Sequence, residues 1–284
     1  MIIQNNIAGF NASRNKGINE GKMRKNLEKL SSGYRINRAG DDAAGLAISE
    51  LMRNQITALD QAMRNVNDGI SMTSTGDGAL TEIHSMLERM KTLAIQAANG
   101  TYNTVSRENL DAERLQLLKE IDRIGGASDF NDIPLFDNAS EKEDGTAFKP
   151  PELKDYITLQ VGHTKEETLD VNRYYVSKEA FLLDQTNFTT IKSANGSVQL
   201  IDDAIEAVAE IRADFGAAQN HLEHTHNNLS VTSENMTAAE SQIRDTNVAE
   251  EFTDYTKNNV IFQAANSMAA QANSIPGMIL ELLR

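Results

Sequence analysis

The sequence predicts a mainly α protein: a long antiparallel helical rod, or coiled-coil bundle, with a small β-hairpin region and its termini paired at one end. Three observations predict it. Only four of 284 residues are Pro, which leaves room for long uninterrupted helices. Apolar and small residues recur at alternating spacings of three and four through both halves of the chain. One stretch in the middle abandons that period and alternates in twos.

The first 40 residues carry a short stripe, Met23, Leu27, Leu30 and Tyr34, diluted by Gly9, Gly17 and Gly21. Such a segment does not hold a helix alone in water and needs a partner surface. The next stripe is far stronger. Ile48, Met52, Leu59, Ala62, Val66, Gly69, Thr73, Gly76, Leu80, Ile83, Leu87, Met90, Ala94 and Ala97 keep one register, broken only at Gln55. One helix over 43–99 would be about 85 Å long at 1.5 Å per residue. Gly69 and Gly76 each cost it about 1 kcal/mol, tolerable where a neighbouring helix comes close. Asp41-Asp42 would cap its start, and Asn99-Gly100 stops it. A further helix is predicted over 105–124, with Leu110, Leu117, Ile121 and Ile124 on one side and Gly125-Gly126 at its end.

Residues 127–190 differ. Pro134, Pro150 and Pro151 fall there, and 137–151 is polar and acidic, which reads as a loop. Ile157, Leu159 and Val161 alternate with polar residues, as do Leu169 and Val171, which predicts a β-hairpin with one buried face. Asn195-Gly196 would close the segment. From Ile201 the helical period returns through Ile205, Val208, Ile211, Phe215, Ala218, Leu222, Thr225, Leu229, Thr232, Met236, Ala239 and Ile243. The last stripe is Ile261, Ala265, Met268, Ala272, Ile275, Ile279 and Leu282, with Pro276 predicted to kink it or start a new turn.

Composition excludes several chemistries. Zero Cys removes disulfides, Cys-based zinc sites, iron–sulfur clusters and a Cys nucleophile. Net charge is −14, yet residues 1–40 hold eight Lys/Arg against two Asp/Glu, and residues 240–284 hold three against six. The acidic middle argues against nucleic acid as a partner. No apolar run reaches the ~20 residues of a membrane helix, and MIIQNNIAGF has no basic-then-apolar leader. His221, His224 and His226 cannot converge on one helix, and their order is not the HExxH of a zinc protease. Gly76-Asp77-Gly78 lacks the third Gly and the Lys of a phosphate loop. No catalytic, cofactor-binding or metal-ligating residue is predicted, so the chain reads as not an enzyme. A thin rod has little private core, and its stripes predict contacts with other copies. A repeated contact that does not close makes a filament.

Specific strings sharpen this. LSSGYRINRAGDDAAGLAIS (30–49), NDGISMTSTGDGALTEIHSMLERMKTLAIQAANGT (67–101) and FNDIPLF (130–136) resemble the N-terminal signature of bacterial flagellin. AAESQIRDTNVAEE (238–251) and MAAQANSIPGMILELLR (268–284) resemble its C-terminal signature. The likeness covers roughly 220 of the 284 residues, in the expected order. At Phe130-Asn131-Asp132 the sequence departs from the family, which has Gly at the third position.

The resemblance implies a structural subunit that polymerises into the flagellar filament, the extracellular propeller of swimming motility, without a cofactor. It implies a D0 domain from 1–42 plus 241–284 and a D1 domain over 43–240 that includes the 127–190 segment. Large outer domains would be absent. A spoke over 35–42 would include Arg35, Asn37, Asp41 and Asp42. Self-assembly would run through Leu27, Leu30, Ile261, Ala265, Met268, Ala272, Ile275, Ile279 and Leu282, with the last stripe buried against the N-terminal segment. Export as an unfolded chain would precede assembly at the distal tip. Implied partners are further copies, an export chaperone on the C-terminal helix (about 255–284), the filament cap and the hook-junction proteins. Toll-like receptor 5 would read a patch at Arg89, Leu93 and Glu113. Two other readings stay open: a hook–filament junction protein, and a non-polymeric helical adaptor or adhesin.

Overall fold

The computed structural model describes residues 6–137 and 153–282, and of residues 137, 153, 154 and 275–282 it describes the backbone alone. The acidic loop expected over 137–151 thus falls almost wholly outside the described residues. The protein is mainly α. Among the described residues five helices make up most of the structure: α1 (Ile7–Ser32), α2 (Ala43–Ala98), α3 (Thr104–Ala127), α4 (Ile191–Arg244) and α5 (Val248–Leu282). Between α3 and α4 lie the strands β1 (Asp129–Phe130), β2 (Ile133–Pro134), β3 (Phe136–Asp137), β4 (Leu153–Gln160) and β5 (Thr168–Tyr175), then a short 3-10 turn. Two compact units form, one from 1–56 with 234–284, the other from 57–233, and the division falls inside α2 and α4 rather than at their ends.

Helix starts follow side-chain capping. The side chain of Asn6 accepts from Gly9 N–H at 3.0 Å, that of Asp42 from Gly45 at 2.9 Å and that of Asn103 from Ser106 at 2.8 Å. Asp42 alone of the Asp41-Asp42 pair caps α2. Gly33 ends α1 in the left-handed region, at φ 76°, with its N–H on the Lys29 carbonyl.

The unit over 57–233 holds the main core. As the α2 partner climbs from Asp60 through Asp77 to Lys91, the α4 partner descends from Ser233 through Arg212 to Asp202, so the two helices run antiparallel. The α2 stripe is buried from Leu59 to Ala97. A Cβ on Gly76 would lie 3.0 Å from the Phe215 ring, and one on Gly69 would lie 2.6 Å from Leu159 and 3.3 Å from Leu222. These glycines admit a large α4 or hairpin side chain against the α2 backbone. The stripe's first members differ: Ile48 is exposed and Met52 half-buried.

Boundaries depart from expectation at two places, Gly125-Gly126 and Asn195-Gly196. α3 runs through Gly125-Gly126 to Ala127. α4 begins at Ile191, so Asn195-Gly196 lies inside it. α5 continues through Pro276. Propensity costs of this size are routinely outweighed by tertiary packing. On α4, Ser233 is buried where the stripe named Thr232, which is exposed.

The hairpin forms with β4 antiparallel to β5, Ile157 opposite Val171 and Leu159 opposite Leu169. The alternation did not reveal that β3 pairs parallel to β5, giving the order β3-β5-β4. β1 and β2 join through Asn131 (φ 54°) and Asp132 (φ 62°), both left-handed. Two positive φ values in a two-residue hairpin loop match the strand twist, and Asn and Asp tolerate them best after Gly.

Candidate assembly surface

In the unit of 1–56 and 234–284, α1 and α5 pair antiparallel between Asn6–Ala272 and Lys29–Glu251. Asn6 Nδ2 donates to the Ala272 carbonyl at 2.7 Å at one end. Lys29 Nζ lies 3.4 Å from Glu251 Oε2 at the other. Lys16 Nζ lies 5.7 Å from the Phe262 ring between them.

The residues that face inward are small or polar. Glu251, Asn258, Ala265 and Ala272, each seven apart, are the buried positions of α5 among the residues whose side chains are described, matched by Ala12 and Asn26 on α1. Asn26 Nδ2 donates to Glu251 Oε1, and Asn258 Nδ2 donates to Asn26 Oδ1 at 2.9 Å. A buried carboxylate is thereby supplied with donors from Asn26 and Lys29.

The large apolar side chains point elsewhere. Phe10 is 71% exposed, Met268 62%, Val260 61% and Phe252 60%. Ile7, Ile18, Leu27, Val248 and Ile261 are exposed too, and Leu30 is half-buried. The stripe read as one surface therefore divides. Ala265 and Ala272 pack against α1, while Ile261 and Met268 face out. A seven-residue repeat of small and polar residues sets the seam, and the Ile/Met positions fall beside it. The side chains of Ile275, Ile279 and Leu282 lie outside the described residues.

The connection 33–42 is tied to the α4–α5 junction. Thr246 N–H donates to the Gly33 carbonyl at 2.9 Å and Arg35 N–H to the Arg244 carbonyl at 2.7 Å. The Arg244 guanidinium sits 4.9 Å from the Tyr34 ring centre and 2.7 Å from Glu50 Oε1. That hydrogen bond holds the Glu50 carboxyl below its ordinary range. Asp41 accepts from Arg38 N–H at 3.1 Å and Asn37 N–H at 3.4 Å. The Arg38 bond is the main reason its carboxyl is held low. Asn37 Nδ2 donates to Ser32 Oγ at 2.8 Å. Of the four expected spoke residues, Asn37 and Asp41 close the turn, Arg35 reaches across it and Asp42 caps α2. The Arg244 contacts were not anticipated, nor was the burial of Ile36 within the expected spoke, where it is only 1% exposed. An isolated apolar residue in a polar stretch was the available signal.

In the other unit, Arg89 and Glu113 form an exposed ion pair at 2.8 Å between α2 and α3. Leu93, one turn on, is 0% exposed in the core. The structure therefore brings Arg89 and Glu113 to one surface and places Leu93 beneath it. Nearby, buried Arg114 binds Asp111 at 2.7 Å, donates to Thr186 Oγ1 at 3.1 Å and stacks on Phe188, which ties the 3-10 turn region to α3. His221 and His224 are exposed on α4. No described helix is long and apolar enough to cross a membrane.

The bacterial flagellin N-terminal helical region matches residues 3–141, and the bacterial flagellin C-terminal helical region matches 198–283. A flagellin of Halalkalibacterium halodurans is 45% identical over 286 residues, covering all of both chains. A flagellin of Bacillus subtilis is 41% identical over 308 residues, again covering both completely. Among solved structures, one assigned as a flagellar hook-associated protein from Vibrio parahaemolyticus superposes with a TM-score of 0.59 at 17% identity. It covers 72% of this chain and 100% of that one, and shares the fold.

Proposed function

The chain belongs to the bacterial flagellin family, and from that premise we propose that its terminal helices join neighbouring subunits through the apolar side chains that α1 and α5 turn away from each other. The protein is a structural subunit of the flagellar filament, outside the cell. The observation that carries the proposal is the division of labour at the α1–α5 seam. Small and polar residues hold the pair, and Phe10, Ile18, Leu27, Phe252, Val260, Ile261 and Met268 remain exposed. Apolar surface of this kind marks an interaction site. At ~25 cal/mol per Å², a few hundred Å² covered by further copies contributes several kcal/mol, offset by ordering the ends.

The assembling D0 domain is 1–42 with 241–284, its spoke is 35–42, and D1 is 43–240. Leu30, Ala265 and Ala272 serve assembly by shaping the α1–α5 pair. Ile275, Ile279 and Leu282 extend the same stripe. The chain travels unfolded and adds at the distal tip beneath the cap, next to hook-junction proteins at the base. An export chaperone covers about 255–284, taking an apolar helix face into a groove. Arg89 and Glu113 are the accessible part of a surface read by Toll-like receptor 5, with Leu93 supporting it from below.

Negative-stain electron microscopy after salt or seed induction tests the assembly reading. Filaments are expected from the full chain and none from a version lacking 1–40 and 245–284. Filaments from the shortened chain would sink it. Monodisperse particles from both would favour the hook–filament junction reading.

A further inference from the structure

Two Asn-Gly dipeptides occur in the sequence, at 99–100 and 195–196, and the structure sets them in opposite surroundings. Asn195 and Gly196 lie within α4. Asn99 and Gly100 follow the last residue of α2, and both are exposed. The Thr101 N–H donates to Asn99 Oδ1 at 3.2 Å. The Asn99 backbone carbonyl accepts from Arg107 Nη2 at 3.2 Å and from Tyr102 N–H at 3.4 Å. Gly100 N–H has no hydrogen-bond partner among the described residues. A Cβ on Gly100 would meet nothing within 4 Å.

We propose that Asn99 is a site of spontaneous backbone-assisted deamidation, promoted by Arg107. The Gly100 amide nitrogen gives its proton to hydroxide and attacks Asn99 Cγ. A new N–Cγ bond forms, the Cγ–Nδ2 bond breaks, and Nδ2 takes a proton from water and leaves as ammonia. Water then opens the five-membered succinimide at either carbonyl, giving aspartate or isoaspartate. One water is consumed, one ammonia is released, and nothing is oxidised or reduced.

The hydrogen bonds around the dipeptide sit where charge develops. Once Gly100 loses its proton, the negative charge is shared with the Asn99 carbonyl oxygen of the same peptide unit. Arg107 and Tyr102 donate to that oxygen. As Cγ becomes tetrahedral, charge collects on Asn99 Oδ1, where the Thr101 N–H already donates. Donors placed in advance at such oxygens lower the barrier. Arg107 is anchored by its Nε on the Ala97 carbonyl at 2.9 Å, so its position does not depend on the reacting residue. At Asn195 the next amide belongs to a helical ladder and must open before it can attack.

The test uses the full chain, aged at neutral and mildly alkaline pH. Peptide mass spectrometry in heavy-oxygen water and an isoaspartate-specific methyltransferase read the products. Conversion at Asn99 is expected at least about tenfold faster than at Asn195, because the helical site must first open. Gly100→Ala should slow it, with circular dichroism confirming an intact fold. The expected rate order is wild type, then Arg107→Lys, then Arg107→Gln. Equal conversion at both dipeptides would overturn the proposal. So would Arg107 variants that convert as fast as or faster than wild type, since that is what simple loosening of the turn produces.

Discussion

Asn258 donates from Nδ2 to Asn26 Oδ1 at 2.9 Å, and both residues are buried where α5 meets α1. The pair of terminal helices is thus specified by amides near its Lys29–Glu251 end. A polar contact of this kind fixes register and partner more than it adds strength.

Replacing Asn26 with Ala strips a donor from the Glu251 carboxylate and an acceptor from Asn258. Leaving such groups buried and short of partners costs about 1–3 kcal/mol. Faster amide hydrogen exchange across 7–32 is expected, with exchange over 57–233 unchanged. Unchanged exchange in α1 would show that the amide cluster does not hold the pair.

Met268→Asp and Ile261→Asp alter side chains that face away from α1. Filament yield should fall sharply while the helical content of the free chain stays the same. Ala265→Asp places a charge inside the seam, so helicity should fall along with filament yield. Filaments of normal length from the Met268 and Ile261 variants would remove these residues from the assembly surface.

Asp132 holds φ 62° without the freedom of glycine. A left-handed conformation costs a non-glycine residue about 1–2 kcal/mol, part of which Asp recovers by local hydrogen bonding. Asp132→Gly should therefore raise stability by roughly 0.5–1 kcal/mol, read as a shift in the denaturant midpoint. A lowered midpoint would mean that the Asp side chain makes a contact worth more than the strain.

Leu93 and its neighbours Arg89 and Glu113 should separate cleanly by experiment. Leu93→Ala opens a cavity in the core and should cost about 2–5 kcal/mol, lowering Tm. Arg89→Ala and Glu113→Ala remove an exposed pair and should leave Tm nearly unchanged. If the receptor reading holds, those two still weaken signalling through Toll-like receptor 5. Full signalling from both would end that reading.

Tyr174 donates its hydroxyl to Asp214 Oδ2 at 2.5 Å, and burial first, then that carboxylate, pushes its pKa up from 10.0. The folded form holds the phenolic proton more tightly than the unfolded chain. The stability tied to that proton is fully present below pH 10 and is lost as the pH climbs above it. In an alkaline titration followed by phenolate absorbance, Tyr174 should ionise above the ordinary phenol range or only on unfolding. Tyr174→Phe should remove this part of the alkaline sensitivity.

Much of the architecture was legible in the sequence, because hydrophobic period is set by local geometry. The α2 stripe from Leu59 to Ala97, the β4–β5 hairpin and the N-cap at Asp42 each follow from spacing and residue type over a few turns. The family signature at both ends was legible for the same reason, since it is a linear string. What the tertiary structure decided is which side of each stripe is covered. Ile261, Ala265, Met268 and Ala272 read as one surface in the sequence, yet packing against Ala12 and Asn26 takes the two alanines and leaves the larger residues exposed. Period alone assigns a residue to a helix face, whereas the partner's shape and its buried amides determine where the seam runs. Leu93 lies beneath the Arg89–Glu113 pair, and Arg244 joins Tyr34 to Glu50, for the same physical reason. Contacts between residues far apart in the chain leave no local period to read.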